Sequence, residues 1–101
     1  MDEVNNIADF TAQPADNHEY YTLSGVVEDN YGVNIHIEIR RADDNTLIAD
    51  VITDDDGTWI STRVWGSVVV TPQTTGSITE FTPPNQRFSG EETEVNFRAD
   101  Y

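Results

Sequence analysis

From residue 33 to residue 40 apolar and polar side chains alternate without a break. Val33, Ile35, Ile37 and Ile39 fall on one face, and Asn34, His36, Glu38 and Arg40 on the other. A two-residue period belongs to a half-buried strand; a helix would scatter the same four apolar side chains around its axis. A strand with one apolar face must cover it with a second apolar layer. Other short stretches supply that layer. Tyr20–Glu28 predicts a first strand, with Tyr21, Leu23 and Val27 on one face and Gly25 allowing close approach. The Val33 strand, running to Arg41, is the second. In a third, Thr46–Thr53, Leu47, Ala49 and Val51 alternate with Ile48, Asp50 and Ile52. Apolar residues on both of its faces imply a partly covered outer face.

Thr58–Val64 and Ser67–Thr71 predict a fourth and a fifth strand, joined at Trp65-Gly66. Ile78–Phe81 is a short extended piece stopped by Pro83-Pro84, since proline cannot donate to a ladder. Thr93–Ala99 closes the chain, with Val95 and Phe97 inward. Turn chemistry separates these stretches. Asp29-Asn30-Tyr31-Gly32 and Asp43-Asp44-Asn45 are tight turns, and Asp54-Asp55-Asp56-Gly57 reads as a hairpin turn on the strength of its Asp-Gly pair. Residues 72–77 form a loop, and residues 85–90 bridge to the last strand. Short strands punctuated by turns at this spacing predict an all-β sandwich. No helical period and no internal repeat appears in this body.

Residues 1–19 differ. They show no sustained period and carry five acids, Asp2, Glu3, Asp9, Asp16 and Glu19. Val4, Ile7 and Ala8 would make one helical turn, which is marginal in water. The expectation is an acidic flexible linker or tail over 1–19, ending near Asp16-Asn17-His18, and one domain over 20–101. The first nineteen residues also lack the basic and apolar layout of an export signal, so an exported protein would carry its targeting segment outside this chain.

Composition sharpens the picture chiefly through charge. The 101 residues carry a formal net charge of −14. Such a surface repels phosphate backbones and anionic lipid, so neither nucleic-acid binding nor membrane insertion is expected. Self-repulsion should also cost stability, and moderate salt is expected to raise the melting temperature. A melt unmoved between low and physiological ionic strength would count against that. There is no cysteine, hence no disulfide and no thiolate metal site. There is also no lysine: the five cations are Arg40, Arg41, Arg63, Arg87 and Arg98. That gap fits either a salt-adapted surface or a plain compositional bias.

The order Leu23-Ser24-Gly25-Val26-Val27-Glu28-Asp29, Gly32-Val33, Thr53-Asp54-Asp55-Asp56-Gly57-Thr58-Trp59 and Val68-Val69-Val70-Thr71-Pro72 resembles bacterial prealbumin-like modules. Among these are the carboxypeptidase regulatory-like and Cna B-type families. Phe81-Thr82-Pro83 and Val95-Asn96-Phe97-Arg98-Ala99 look like the closing strands of such modules. The resemblance implies a seven-stranded Greek-key β-sandwich of transthyretin-like topology and immunoglobulin-like architecture. It also implies a buried Trp59 and a place in secreted or cell-surface bacterial multidomain proteins as spacer, stalk or appended domain. Two departures stand out. Some Cna B-type modules lock themselves with a lysine–asparagine isopeptide bond, which a chain without lysine cannot form. And Trp65-Gly66 stands where the family often has Pro-Gly, which puts a large aromatic in a loop.

Candidate chemistry is sparse. Asp54 and Asp56, with Asp29 or Asp50 nearby, offer clustered oxygens of the kind calcium takes. The run lacks the bidentate acid that closes an EF-hand, and the plainer reading is a solvated turn. Trp65, Tyr31 and Tyr20 would make an aromatic platform for a sugar ring or a protein; alternatively Trp65 folds over the sandwich end as a cap. His18 in the tail and His36 facing outward do not suggest a shared zinc site. Arg40-Arg41 reads as a charge partner for nearby acids. Nothing resembles a nucleophile elbow, and no cofactor is expected. The sequence thus predicts a non-enzymatic, monomeric spacer module whose partners are neighbouring domains of the same chain, with a glycan- or protein-binding module as the alternative.

Overall fold

The computed structural model describes residues 19–29 and 31–101, so the expectation of a flexible tail over residues 1–18 lies outside the described residues. Eight strands follow in order: β1 (Tyr21–Glu28), β2 (His36–Arg41), β3 (Leu47–Ile52), β4 (Thr58–Val64), β5 (Val68–Pro72), β6 (Glu80–Thr82), β7 (Gln86–Phe88) and β8 (Phe97–Asp100). They form an all-β sandwich of two four-stranded sheets, ordered β4-β1-β8-β6 and β3-β2-β5-β7. Seven strands were expected. The eighth is β7, in the segment read as a bridge, where Gln86, Arg87 and Phe88 pair with Val70, Val69 and Val68. With only Phe88 apolar, that stretch has no alternation to betray it.

The predicted inward faces meet between the sheets. Leu23, Val27, Trp59, Val64, Phe81, Phe97 and Ala99 come from one sheet, and Ile37, Ile39, Val68 and Val70 from the other. Ile35, Ile37 and Ile39 are fully buried, so the eight-residue alternation supplies the centre of the core. β2 as a paired strand begins later than the alternation, at His36. Ile35 still belongs to the ladder in effect, because its carbonyl accepts from the Thr53 amide and its amide donates to the Thr53 hydroxyl at 2.7 Å.

β3 departs from its expected pattern. A bulge opposite Ile39 and Arg40 shifts its phase, so Ile48 and Ala49 are both half-buried while Leu47 and Ile52 stand in solvent. The apolar residues on both faces therefore mark a bulged edge strand, not a covered outer face.

Of consecutive strands, only β2 and β3 pair with each other. The turn at Asp43–Asn45, with Asn45 in the left-handed region at φ 66°, is therefore a hairpin turn. Asp54–Gly57 is not: it carries the chain from β3 in one sheet to β4 in the other. Locally it closes like a hairpin, with Gly57 N–H donating to Asp54 O and Asp54 N–H to Thr58 O, both at 2.9 Å. A dipeptide signal specifies the local turn but not which strands pair beyond it.

The first and last strands lie side by side and parallel, with Val27 opposite Phe97 and Glu28 opposite Arg98. The approach to β8 extends this contact down β1. Ser24 N–H donates to Glu92 O, Val95 N–H to Ser24 O, and Val26 N–H to the Asn96 side-chain oxygen.

Candidate functional site

The chain enters the described body at one end of the sandwich, where the start of β1 meets the end of β4, Tyr21 opposite Val64. Here Tyr20, Tyr21, Trp65, Gly66, Ser89 and Gly90 line a depression of about 500 Å³. Each of its two outer rings carries a guanidinium. Arg63 lies 4.1 Å from the Tyr20 ring centroid, and Arg41 lies 4.1 Å from that of Trp65. The second contact is braced, because Arg41 also donates two hydrogen bonds to Asp43, at 3.0 and 2.6 Å. That fork holds the Asp43 carboxyl down at about 2. The Tyr21 hydroxyl donates to Gly66 O across the base of the depression, and burial raises its pKa, so it stays protonated at neutral pH. Gly66 turns the chain in the left-handed region, φ 70°, and this lets the carbonyl present itself there.

Trp65 is half-buried with one ring face under Arg41, which makes it more a lid on this end of the sandwich than an open platform. The two guanidinium contacts were not read from the sequence. Arg63, two residues before Trp65, and Arg41 gave no signal, because a cation–π pair across strands depends on pairing that the sequence does not specify.

Tyr31 does not join this group. It follows β1 at the opposite end of the sandwich, 73% exposed, with its ring edge-on to Tyr101 at 4.9 Å. The three-aromatic platform is therefore divided: Tyr20 and Trp65 share the entry end, and Tyr31 pairs with Tyr101 at the exit end. β1 lies between the two groups and spans about 25 Å.

The exit end also holds the acidic turns at Asp29 and at Asp54–Gly57. Asp54 organises its own turn. One carboxylate oxygen accepts from Asp56 N–H at 2.9 Å and Thr58 N–H at 3.1 Å, and the other accepts from the Thr58 hydroxyl at 2.5 Å. The Thr58 hydroxyl first, and the backbone donors with it, hold the Asp54 pKa below its usual value. Asp29 accepts from Val33 N–H and from the Tyr101 hydroxyl, and Asp50 faces His36 at 3.2 Å. Among the described residues no group of three or more acids and histidines comes together as metal ligands. Asp54 spends its oxygens on donors of its own turn. Arg40 and Arg41 pair with Glu38 and with Asp43 and Asp44.

A depressed carboxyl pKa adds stability above the unfolded-state value, lost as pH falls through the folded-state value. For Asp54 and Asp100 that window opens below about pH 4, and for Asp43 it reaches down to about 2. Asp54→Ala is expected to melt lower than wild type at pH 7, with the gap closing across this window. Asp56→Ala, whose side chain caps nothing, should track wild type throughout. A gap that does not narrow at all as pH falls below about 4 would show that the carboxylate bonds are not its source.

No family model, curated protein or solved structure matches this chain.

Proposed function

We propose that the domain is a non-catalytic spacer of the prealbumin-like kind, one module of a secreted or cell-surface bacterial multidomain protein. The observation that carries this reading is the parallel pairing of β1 with β8. Because the strands run the same way, the chain enters at the Tyr20 end and leaves at the Tyr101 end. Seven residue steps along β1 and two more from Arg98 to Asp100 separate these ends by about 30 Å. A module built this way continues a chain in line, as a spacer must. Tension through its two ends slides β1 against β8 and loads their hydrogen bonds together instead of one at a time. Without lysine there is no isopeptide lock, so this contact depends on hydrogen bonds and close packing.

Single-molecule pulling tests the reading, and the absence of native cysteine makes handles simple to place. With one handle at Tyr101, a second through Glu19→Cys loads the pair in shear, whereas one through Glu28→Cys peels β1 from the exit end. The end-to-end geometry is expected to unfold at the clearly higher force. Equal forces in the two geometries would sink the load-bearing reading.

A second reading, a glycan- or protein-binding module, is favoured by one observation: Tyr20, Tyr21 and Trp65 border a single depression. Its mark would be a change in Trp65 fluorescence on titration with oligosaccharides. Arg41 occupying the indole face weighs toward the spacer.

A further inference from the structure

The four sheet edges are not equally protected. β6 and β7 are three residues each, too short to template another strand. β3 and β4, with six and seven residues, are the long edges, and they share one side of the sandwich. β3 is blunted by its bulge and by the outward Asp50. β4 has its own irregularity between Ser61 and Val64, where Arg63 also lies, but from Thr58 to Ser61 it has no charge, no proline and no bulge, the usual devices that keep an edge from pairing. Its outward Ile60 is 59% exposed. Ile52 at the end of β3 and Val26 on β1 are exposed beside it, and the three line one depression of about 510 Å³ with Ser24, Thr58 and Asp54.

Apolar exposure alone does not name an occupant, but charge does. Asp54 borders the depression, and Asp55 and Asp56 follow it in the same turn. Arg40, Arg41 and Arg98 are engaged with Glu38, with Asp43 and Asp44, and with Asp100. A second copy would bring −14 against −14. The stretch from residue 1 to 18 is itself acidic, with four acids and no lysine or arginine. A cationic partner is the one whose charge fits.

We propose that the free edge of β4, with the Val26–Ile52–Ile60 ledge, captures an extended segment of another protein that alternates branched apolar residues with lysine or arginine. The segment adds to the β4-β1-β8-β6 sheet as a further strand. Backbone hydrogen bonds to β4 hold it, its apolar side chains cover Ile60 and Ile52, and its cations face the Asp54–Asp56 turn. The proposal is independent of the spacer reading.

The test is a titration of the isotope-labelled full chain with a synthetic peptide as long as β4 that alternates valine and lysine. The peptide should move the amides of Thr58–Arg63 and Ile52, with a dissociation constant of about 1 mM or tighter that weakens as salt rises. A counterpart with glutamate in place of lysine should bind at least about tenfold more weakly. Ile60→Lys should abolish the shifts while leaving the melting temperature near wild type, because Ile60 packs outside the core. Three results would overturn the proposal: no shifts at about 2 mM peptide, equal binding of the glutamate peptide, or shifts centred away from β4. So would movement of the same amides with protein concentration alone, which would assign the edge to a second copy.

Discussion

Replacing Gly25 by alanine is expected to lower the melting temperature of the domain by more than about ten degrees. Gly25 is buried in the middle of β1, and a Cβ there would fall far inside contact with the Val95 carbonyl and lie 2.9 Å from its amide nitrogen. Every atom it meets is backbone, so no rotamer change relieves the clash. The segment approaching β8 must move away from β1. That movement breaks the Val95–Ser24 bond and strains the Val26–Asn96 bond, which together bring the first and last strands into register. Overpacking a core usually costs about 1–3 kcal/mol when side chains can adjust; here they cannot, so at least about 3 kcal/mol is expected. For a domain of this size that is a drop of roughly 12–24 °C in melting temperature, out of a total stability of about 5–10 kcal/mol. Circular dichroism melts of wild type and Gly25→Ala check it. A variant melting within a few degrees of wild type would mean that β1 and β8 do not approach as closely as described.

Gly25 also shows how far this fold was legible. The sequence marks the glycine as a point of close approach, because a glycine within an alternating strand needs a reason. It does not say what approaches, since the partner segment lies about seventy residues away and parallel pairing leaves no turn signal. The same division runs through the molecule. Ile35, Ile37 and Ile39 were placed in the core from their period alone, and the structure buries them completely. β7 was missed because it is short and polar, and the bulge in β3 because one extra residue can be seen only against a partner strand. At the candidate site the structure brings Tyr20 and Trp65 to one end, whereas Tyr31 was set beside them on residue type alone, without the strand length that separates the two ends. The exposed edge left a trace that went unused. Trp59 and Ile60 are adjacent apolar residues in one strand, so one of them had to face out.

Trp59 should respond very differently to two substitutions. It lies opposite Gly25 in the β1–β4 register, only 4% exposed, so a large side chain fills the space beside a residue that has none. Trp59→Ala removes that filling and is expected to cost about 3–5 kcal/mol, a melting drop of roughly 12–40 °C. Trp59→Phe keeps an aromatic ring in the same place. It also removes the indole N–H, a buried donor with no acceptor among the described residues. Leaving such a donor unpaired costs about 1–3 kcal/mol, comparable to the packing lost with the smaller ring, so the two effects should cancel to within about 1 kcal/mol. Paired thermal melts decide this. A Trp59→Phe variant that loses half as much as Trp59→Ala would mean that the N–H is satisfied in solution and that tryptophan is held there by a hydrogen bond as well as by its size. The phenylalanine variant also leaves Trp65 as the sole tryptophan, so its emission reads directly how much water reaches the ring beneath Arg41.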